Sequence, residues 1–313
     1  MFKYIVKRLL WMLPTLLGVM LLLFSLTYFL PGDPVSILLG PRATPDLVVL
    51  IKERLRLNDP IHVRLGYYLL GVLKGDLGTS VWSGYQVRSL IAKELPHTIV
   101  LTFTSLGVAA LFSIFIGVFA AMRQENRKGF TVTIVSLLSV AAPDFVWALL
   151  LVLFFCIKLP LFPALGAGVK GDLIDMAVHL ILPATALAIP WFGYLSRLTQ
   201  ESMNEVLGSD YIRTARAFAI PKRIIAYRYA LKNGIIPTIT VLGMGVGKLL
   251  GGAVFVEIIF NRPGMGKLIV DAVYQRDLPV VQGAILVTAL MFVLANLLAD
   301  ISYAFLDPRI QYD

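Results

Sequence analysis

The sequence predicts an all-α integral membrane protein with six transmembrane helices and one amphipathic helix on the cytoplasmic side. Three observations lead there. Hydrophobic residues make up 58% of the 313-residue chain, and the mean hydropathy of +0.81 exceeds that of ordinary soluble domains. The apolar residues gather into six runs, at 9–30, 98–122, 131–157, 175–195, 235–255 and 280–305. Each is close to the roughly 20 residues that span a bilayer. Finally, basic clusters fall on alternate connections, the pattern of cytoplasmic loops.

The first run follows Lys3, Lys7 and Arg8, as a secretory signal would. It is too long for a signal core and no small-x-small cleavage site follows, so a retained first helix is expected. The fourth run is the weakest, interrupted by Pro183, Pro190 and Gly193. Transmembrane helices tolerate such breakers where neighbours satisfy the freed backbone groups.

The net charge of +9 is distributed by topology. Lys3, Lys7 and Arg8, then Arg123, Arg127 and Lys128, then the cations from Arg197 to Lys232 all fall on one side when six segments alternate. Loop 31–97 exceeds the length over which the bias operates. Both termini are therefore expected in the cytoplasm, the membrane lipid is the expected surrounding, and no nucleic-acid partner is implied. The chain divides into a tail and first helix (1–30), an extracytoplasmic loop (31–97), a five-helix core (98–306) with a cytoplasmic loop at 197–234, and a tail (307–313).

In the outer loop, Pro31-Gly32-Asp33-Pro34 stops the first helix. Thr44-Pro45-Asp46 opens a short helix with Leu47, Leu50, Ile51 and Leu55 at helical spacing. Asn58-Asp59-Pro60 opens a second, with Ile61, Leu65, Leu69 and Val72 on one face, and Gly75-Asp76-Leu77-Gly78 ends it. Such helices rest on the membrane surface or receive an external protein.

Run five carries Gly243, Gly247 and Gly251 at intervals of four, with Lys248 among them. Small residues at this spacing let backbones approach closely. The stripe serves fixed helix packing or a sliding contact, and Lys248 either packs between helices or lines a path.

Reactive chemistry is sparse. His62, His97 and His179 are widely separated, without metalloprotease spacing. Cys156, the single cysteine, lies in an apolar run and reads as a small hydrophobe. Gly247-Lys248-Leu249 and Gly266-Lys267-Leu268 both lack the first glycine and the Ser or Thr of a phosphate-binding loop. An enzyme is not expected, and any nucleotide-driven motor must be another chain. Asp144, Lys248 and Asp300 are ionisable residues within the runs, and a stand-alone secondary transporter would need them.

Between Ser209 and Pro237 the chain turns polar and basic. Ser209 is placed to cap a helix starting at Asp210, whose carboxylate suits the N-terminal dipole. Tyr211, Ile212, Ala215, Phe218 and Ala219 share its expected face, away from Arg213 and Arg216. Pro221 starts a second helix, which Asn233-Gly234 is expected to end. The small residues Ala215, Ala217 and Ala219 favour a knob that enters a protein groove over a helix lying on lipid.

This segment resembles the cytoplasmic "EAA" loop of inner-membrane permeases of ABC importers for dipeptides and oligopeptides. Asp210, Tyr211, Ile212, Arg213, Thr214, Ala215, Arg216 and Ala217 follow that pattern in order, while Phe218 and Ala219 replace its usual Lys and Gly. The resemblance runs nearly end to end. It includes Pro31-Gly32-Asp33-Pro34, Gly75-Asp76-Leu77-Gly78-Thr79-Ser80, Leu249-Leu250-Gly251-Gly252-Ala253-Val254, Pro263-Gly264-Met265-Gly266, Arg276-Asp277-Leu278-Pro279-Val280-Val281-Gln282-Gly283 and Leu306-Asp307-Pro308-Arg309, with Arg262 where Trp is frequent.

The resemblance implies a type I ABC importer permease fold in a bacterial or archaeal cytoplasmic membrane. It implies a second homologous permease, two ATPase subunits that hold ATP and magnesium, an extracytoplasmic substrate-binding protein, and no cofactor on this chain. Residues 210–219 would be the ATPase-coupling helix. Peptides are the implied cargo, with glutathione, opines, oligosaccharides and nickel complexes carried elsewhere in the family.

Overall fold

A computed structural model describes residues 2–29, 44, 46, 49, 59–124 and 127–306. The Pro31–Pro34 turn, most of the expected helix after Thr44, and residues 307–313 lie outside these. The described residues form helices and connecting turns, with one isolated bridge between Thr79 and Gln86.

Helix α1 (Phe2–Phe29) carries its apolar stretch at Leu10–Ser25. Helix α2 (Ile61–Leu73) follows the expected start at Pro60 and buries none of its residues. Helix α3 (Val87–Met122) begins eleven residues before the apolar run, so the chain is helical well ahead of residue 98. The third run is not one straight helix. It divides into α4 (Arg127–Ala141) and α5 (Asp144–Leu151, continuing as a π-helix over Val152–Lys158), which meet at 98°. Pro143 causes the break, because it cannot donate a backbone hydrogen bond and bars its predecessor from helical geometry.

The fourth run is the opposite case. Despite Pro183 and Pro190, α6 (Leu173–Leu207) is one helix of 35 residues that extends past the apolar stretch into the basic segment. Its packing compensates for the breakers. α3 runs along it, and α4 lies on another face. At Gly193 a Cβ would collide with the Ser136 carbonyl of α4, and at Gly117 of α3 it would lie 2.7 Å from Thr199. Only glycine permits either approach.

A short helix, α7 (Asp210–Ala217), and a corner then lead into α8 (Lys222–Gly234, π-helical over Ile225–Ala230). Asn233-Gly234 does not cap α8 as expected. Gly234 keeps a right-handed backbone, and the chain bends 50° into α9 (Ile236–Gly252), whose second residue is Pro237. The glycine is required by contact instead, since a Cβ there would meet Met203 Sδ at 2.8 Å. A buried hydroxyl pair, Thr199 with Thr238 at 2.9 Å, joins α6 to α9.

Beyond α9 come two short helices, α10 (Val254–Ile259) and α11 (Met265–Tyr274), then the long α12 (Leu278–Leu306). α12 packs on α9, and α1 packs on α12. Gln282 Nε2 donates to the Leu23 carbonyl at 2.9 Å, and Arg8 pairs with Asp300 at 3.0 Å, so α1 is held near both ends. Among the described residues, three helices are individually long and apolar enough to span, and the two bent pairs bring the number to five besides α1. Apolar side chains such as Phe103, Phe112, Phe115 and Leu138 remain exposed along the spans, as lipid-facing surface requires.

Candidate functional site

Helix α7 stands at one end of the bundle, where the ends of α3 and α6 and the start of α8 converge. Its anchor is apolar. Ile212 and Ala215 are buried with Val118 and Ala121 of α3, Met203 of α6, and Ile225, Ala226 and Ala230 of α8. Residues three apart share a helix face, so these two side chains fix which way α7 is rolled. The expected five-residue face is therefore divided. Ile212 and Ala215 turn inward, while Tyr211, Phe218 and Ala219 are exposed with Arg213, Thr214, Arg216 and Ala217. The reason is tertiary: α8 folds back beneath α7 and supplies the inner wall.

Polar contacts hold the same arrangement. Ser209 does not cap α7. Its Oγ donates backward to the Val206 carbonyl at 2.6 Å, leaving the Asp210 carboxylate to complement the helix N-terminus. Asp210 also pairs with Arg213 at 3.3 Å, in the open. Arg216 Nη2 donates to the Leu207 carbonyl at 3.1 Å and so closes the end of α6. Asn233 Nδ2 donates to the Tyr211 hydroxyl at 3.1 Å, tying the far end of α8 to α7.

The corner after α7 is a Schellman motif. The Ile220 amide donates to the Ala215 carbonyl at 3.3 Å, and the Ala219 amide to the Arg216 carbonyl at 2.9 Å. Ala219 has φ +56°, the left-handed conformation that glycine adopts without penalty. Phe218, 78% exposed, projects from this corner, while Ile220 tucks against the buried cluster.

The glycine stripe of α9 is split between roles. A Cβ on Gly243 would lie 2.5 Å from Ala299 of α12, and one on Gly247 would lie 3.1 Å from Asn296 and 3.2 Å from Phe292. These two glycines seat α9 against α12. Gly251 is looser, with only Thr288 within reach at 3.9 Å, and it is exposed. Lys248 faces away from α12, is exposed, and lies 5.8 Å above the Trp191 ring. Asp300 has Arg8 for a partner, and Asp144, half-buried in the first turn of α5, accepts from the Phe145 amide at 2.8 Å.

Two buried carboxylates at the opposite end of the bundle escaped sequence reasoning. Glu257, on α10 outside the spans, is fully buried. Thr98 Oγ1 donates to its Oε1 at 2.6 Å, and the Lys267 amide donates to Oε2 at 3.0 Å. The Met265 amide in turn donates to Thr98 Oγ1 at 2.8 Å. Glu257 thus seats on the N-terminus of α11, in space that a Cβ on Gly264 would fill. Burial pushes its pKa above the usual carboxylate value, and the hydrogen bonds and nearby Arg262 offset only part of that. The second carboxylate, Asp277, accepts from Ser80 Oγ at 2.5 Å and from the amides of Val81 and Trp82 at 3.2 and 3.3 Å. It clamps the segment before α3 onto the segment before α12. Pro263-Gly264-Met265-Gly266 stood out only as part of the family resemblance. Nothing in the sequence paired it with a glutamate and a threonine far away.

Family comparisons agree with this architecture along the whole chain. Residues 113–312 match the model of the binding-protein-dependent transport system inner membrane component, and residues 1–102 match that of the N-terminal part of the same kind of component. The chain belongs to this family. The permease is 38% identical to the glutathione transport system permease protein of Salmonella typhimurium over 315 residues, covering all of both chains. It is 37% identical to the oligopeptide transport system permease protein of Bacillus subtilis and 36% to the dipeptide transport system permease protein of Alkalihalophilus pseudofirmus, again over the full length of each.

Among solved structures it resembles a chain of the inward-facing MetNI methionine ABC transporter, with a TM-score of 0.59 and 14% identity. That likeness covers 70% of this chain and 96% of that one, and it concerns the fold. The protein is thus a multi-pass, all-α membrane permease component of a binding-protein-dependent ABC importer, and not an enzyme.

Proposed function

We propose that this permease pairs with a second, homologous permease and imports small peptides, driven by two ATPase subunits that bind ATP and magnesium. An extracytoplasmic binding protein delivers the cargo to the end opposite α7. Three relatives' names support the cargo class, and glutathione is itself a tripeptide. Opines, oligosaccharides and nickel complexes remain the cargo alternatives within the family. The basic clusters on alternate connections support a topology with both termini in the cytoplasm of a bacterial or archaeal cell.

In this reading residues 210–219 form the coupling helix, seated in a groove of one ATPase subunit. The observation that carries it is the exposed Phe218 at the corner of a helix whose opposite face is anchored by Ile212 and Ala215. A large exposed aromatic on an otherwise polar loop marks a protein contact. The anchor gives the helix leverage. Because Ile212 and Ala215 pack on α3, α6 and α8 together, displacement of α7 carries these elements as a rigid unit. ATP binding closes the ATPase pair and so biases the bundle between inward- and outward-facing states.

The test is co-purification. Phe218→Asp is expected to leave the permease pair intact in the membrane while the ATPase subunits wash away. Retention of the ATPases at wild-type level, with normal uptake, would refute the assignment.

A further inference from the structure

We propose that the Lys248 ammonium binds the carboxylate of the cargo as it crosses the permease, which rests on the peptide-import reading above. Lys248 is the one charged residue within α9, whose other side chains are apolar or small. It is exposed, and it joins none of the ion pairs among the described residues. An ammonium turned toward hydrocarbon at this depth would lose its hydration without compensation, so this face of α9 meets water or protein.

The surroundings are shaped for an anion with an apolar part. Trp191 lies under the ammonium at 5.8 Å and itself stacks edge-on against Tyr194 at 6.3 Å. A cation over a ring face is held in place while its hydrogens stay free for an acceptor. One turn further along α9 from Lys248 is Gly252, which is exposed. A Cβ at Gly252 would meet nothing within 4 Å. The helix surface beside the ammonium is therefore bare backbone with open space above it. A cation over a ring, beside a floor without side chains, suits the C-terminal residue of a peptide, whose carboxylate reaches the ammonium while its backbone lies close to the helix. A carboxylate on the second permease would use the cation but leave the open glycine floor without purpose.

The test uses the complete importer, with its partner permease, ATPases and binding protein, in proteoliposomes. ATP-driven uptake of trialanine and of trialanine amide is measured for the wild type, Lys248→Met and Lys248→Arg. Loss of one charged hydrogen-bonding partner is expected to lower the ratio of acid to amide uptake about tenfold in Lys248→Met. Lys248→Arg is expected to keep most of that ratio. An unchanged ratio, whether uptake falls for both peptides or for neither, overturns the proposal. So does loss of the second permease on purification of Lys248→Met, which would make the lysine a subunit contact. If the wild type moves neither peptide, it is the peptide reading that fails. The same ratio is then taken on the cargo that the binding protein retains, as free acid and as neutral amide, and a cargo without a carboxylate overturns this proposal too.

Discussion

The Ile220 amide reaches back to the Ala215 carbonyl at 3.3 Å, closing α7 and folding the chain so that Phe218 points out while Ile220 points in. That single turn separates the face that anchors the helix from the face that is free for a partner.

Ala219 bears the strain of this turn. An L-residue in the left-handed region costs about 1–2 kcal/mol, and glycine avoids most of it while losing some unfolded-state advantage. Ala219→Gly is expected to be neutral or stabilising by up to about 1 kcal/mol, and Ala219→Val to be destabilising by a similar amount or more. Thermal unfolding of the purified complex, with hydrogen exchange across residues 215–222, measures both.

Ala215 and Phe218 separate folding from attachment. Ala215→Glu places a carboxylate in the cluster of Ile212, Met203 and Ala226, so it is expected to cost several kcal/mol and to unseat α7. Phe218→Asp changes an exposed side chain and is expected to shift stability by less than about 0.5 kcal/mol. Melting curves of the detergent-solubilised permease distinguish the two.

Glu257 makes stability depend on pH. Its folded-state pKa is raised by burial, so its favourable contribution is fully present below the unfolded carboxylate value and is lost as pH rises through the folded pKa. The stability of the wild type relative to Glu257→Gln is therefore expected to fall as pH is raised through and above the ordinary carboxylate range, about pH 4. Paired melting curves across that range check the sign. A difference that grows with pH would show that the hydrogen bonds to Thr98 and Lys267 outweigh burial.

Asp277 is the clamp at the end opposite α7. Asp277→Ala removes the acceptor for Ser80 Oγ and for two amides, and is expected to cost about 1.5–3 kcal/mol. Faster hydrogen exchange over residues 79–86, with α7 unaffected, is the expected signature.

How far the sequence could be read depended on distance along the chain. Local signals served well. Asp210 after Ser209 marked the start of α7, Pro60 the start of α2, and the glycine interval a close helix approach without naming α12 as its partner. Pro143 was visible too, but the apolar residues on both sides hid a break of 98°. Pro183 and Pro190 made run four look the weakest, yet α6 continues through both, because α3 and α4 support it along its length. The roll of α7 was beyond reach. It depends on Met203 and on α8 folding back, neither of which a periodic pattern encodes. The same holds for Glu257 and Thr98, which are 159 residues apart and meet only when α10 and α11 settle against α3.

Coupling through α7 depends on where Phe218 rests in the assembled importer. Replacing it with the photo-reactive residue p-benzoylphenylalanine and irradiating intact membranes reads this out directly. The expected product is a covalent adduct between the permease and an ATPase subunit, with its yield changing when ATP is added. Adducts confined to lipid or to the second permease, with no ATPase adduct in either nucleotide state, would contradict the central claim.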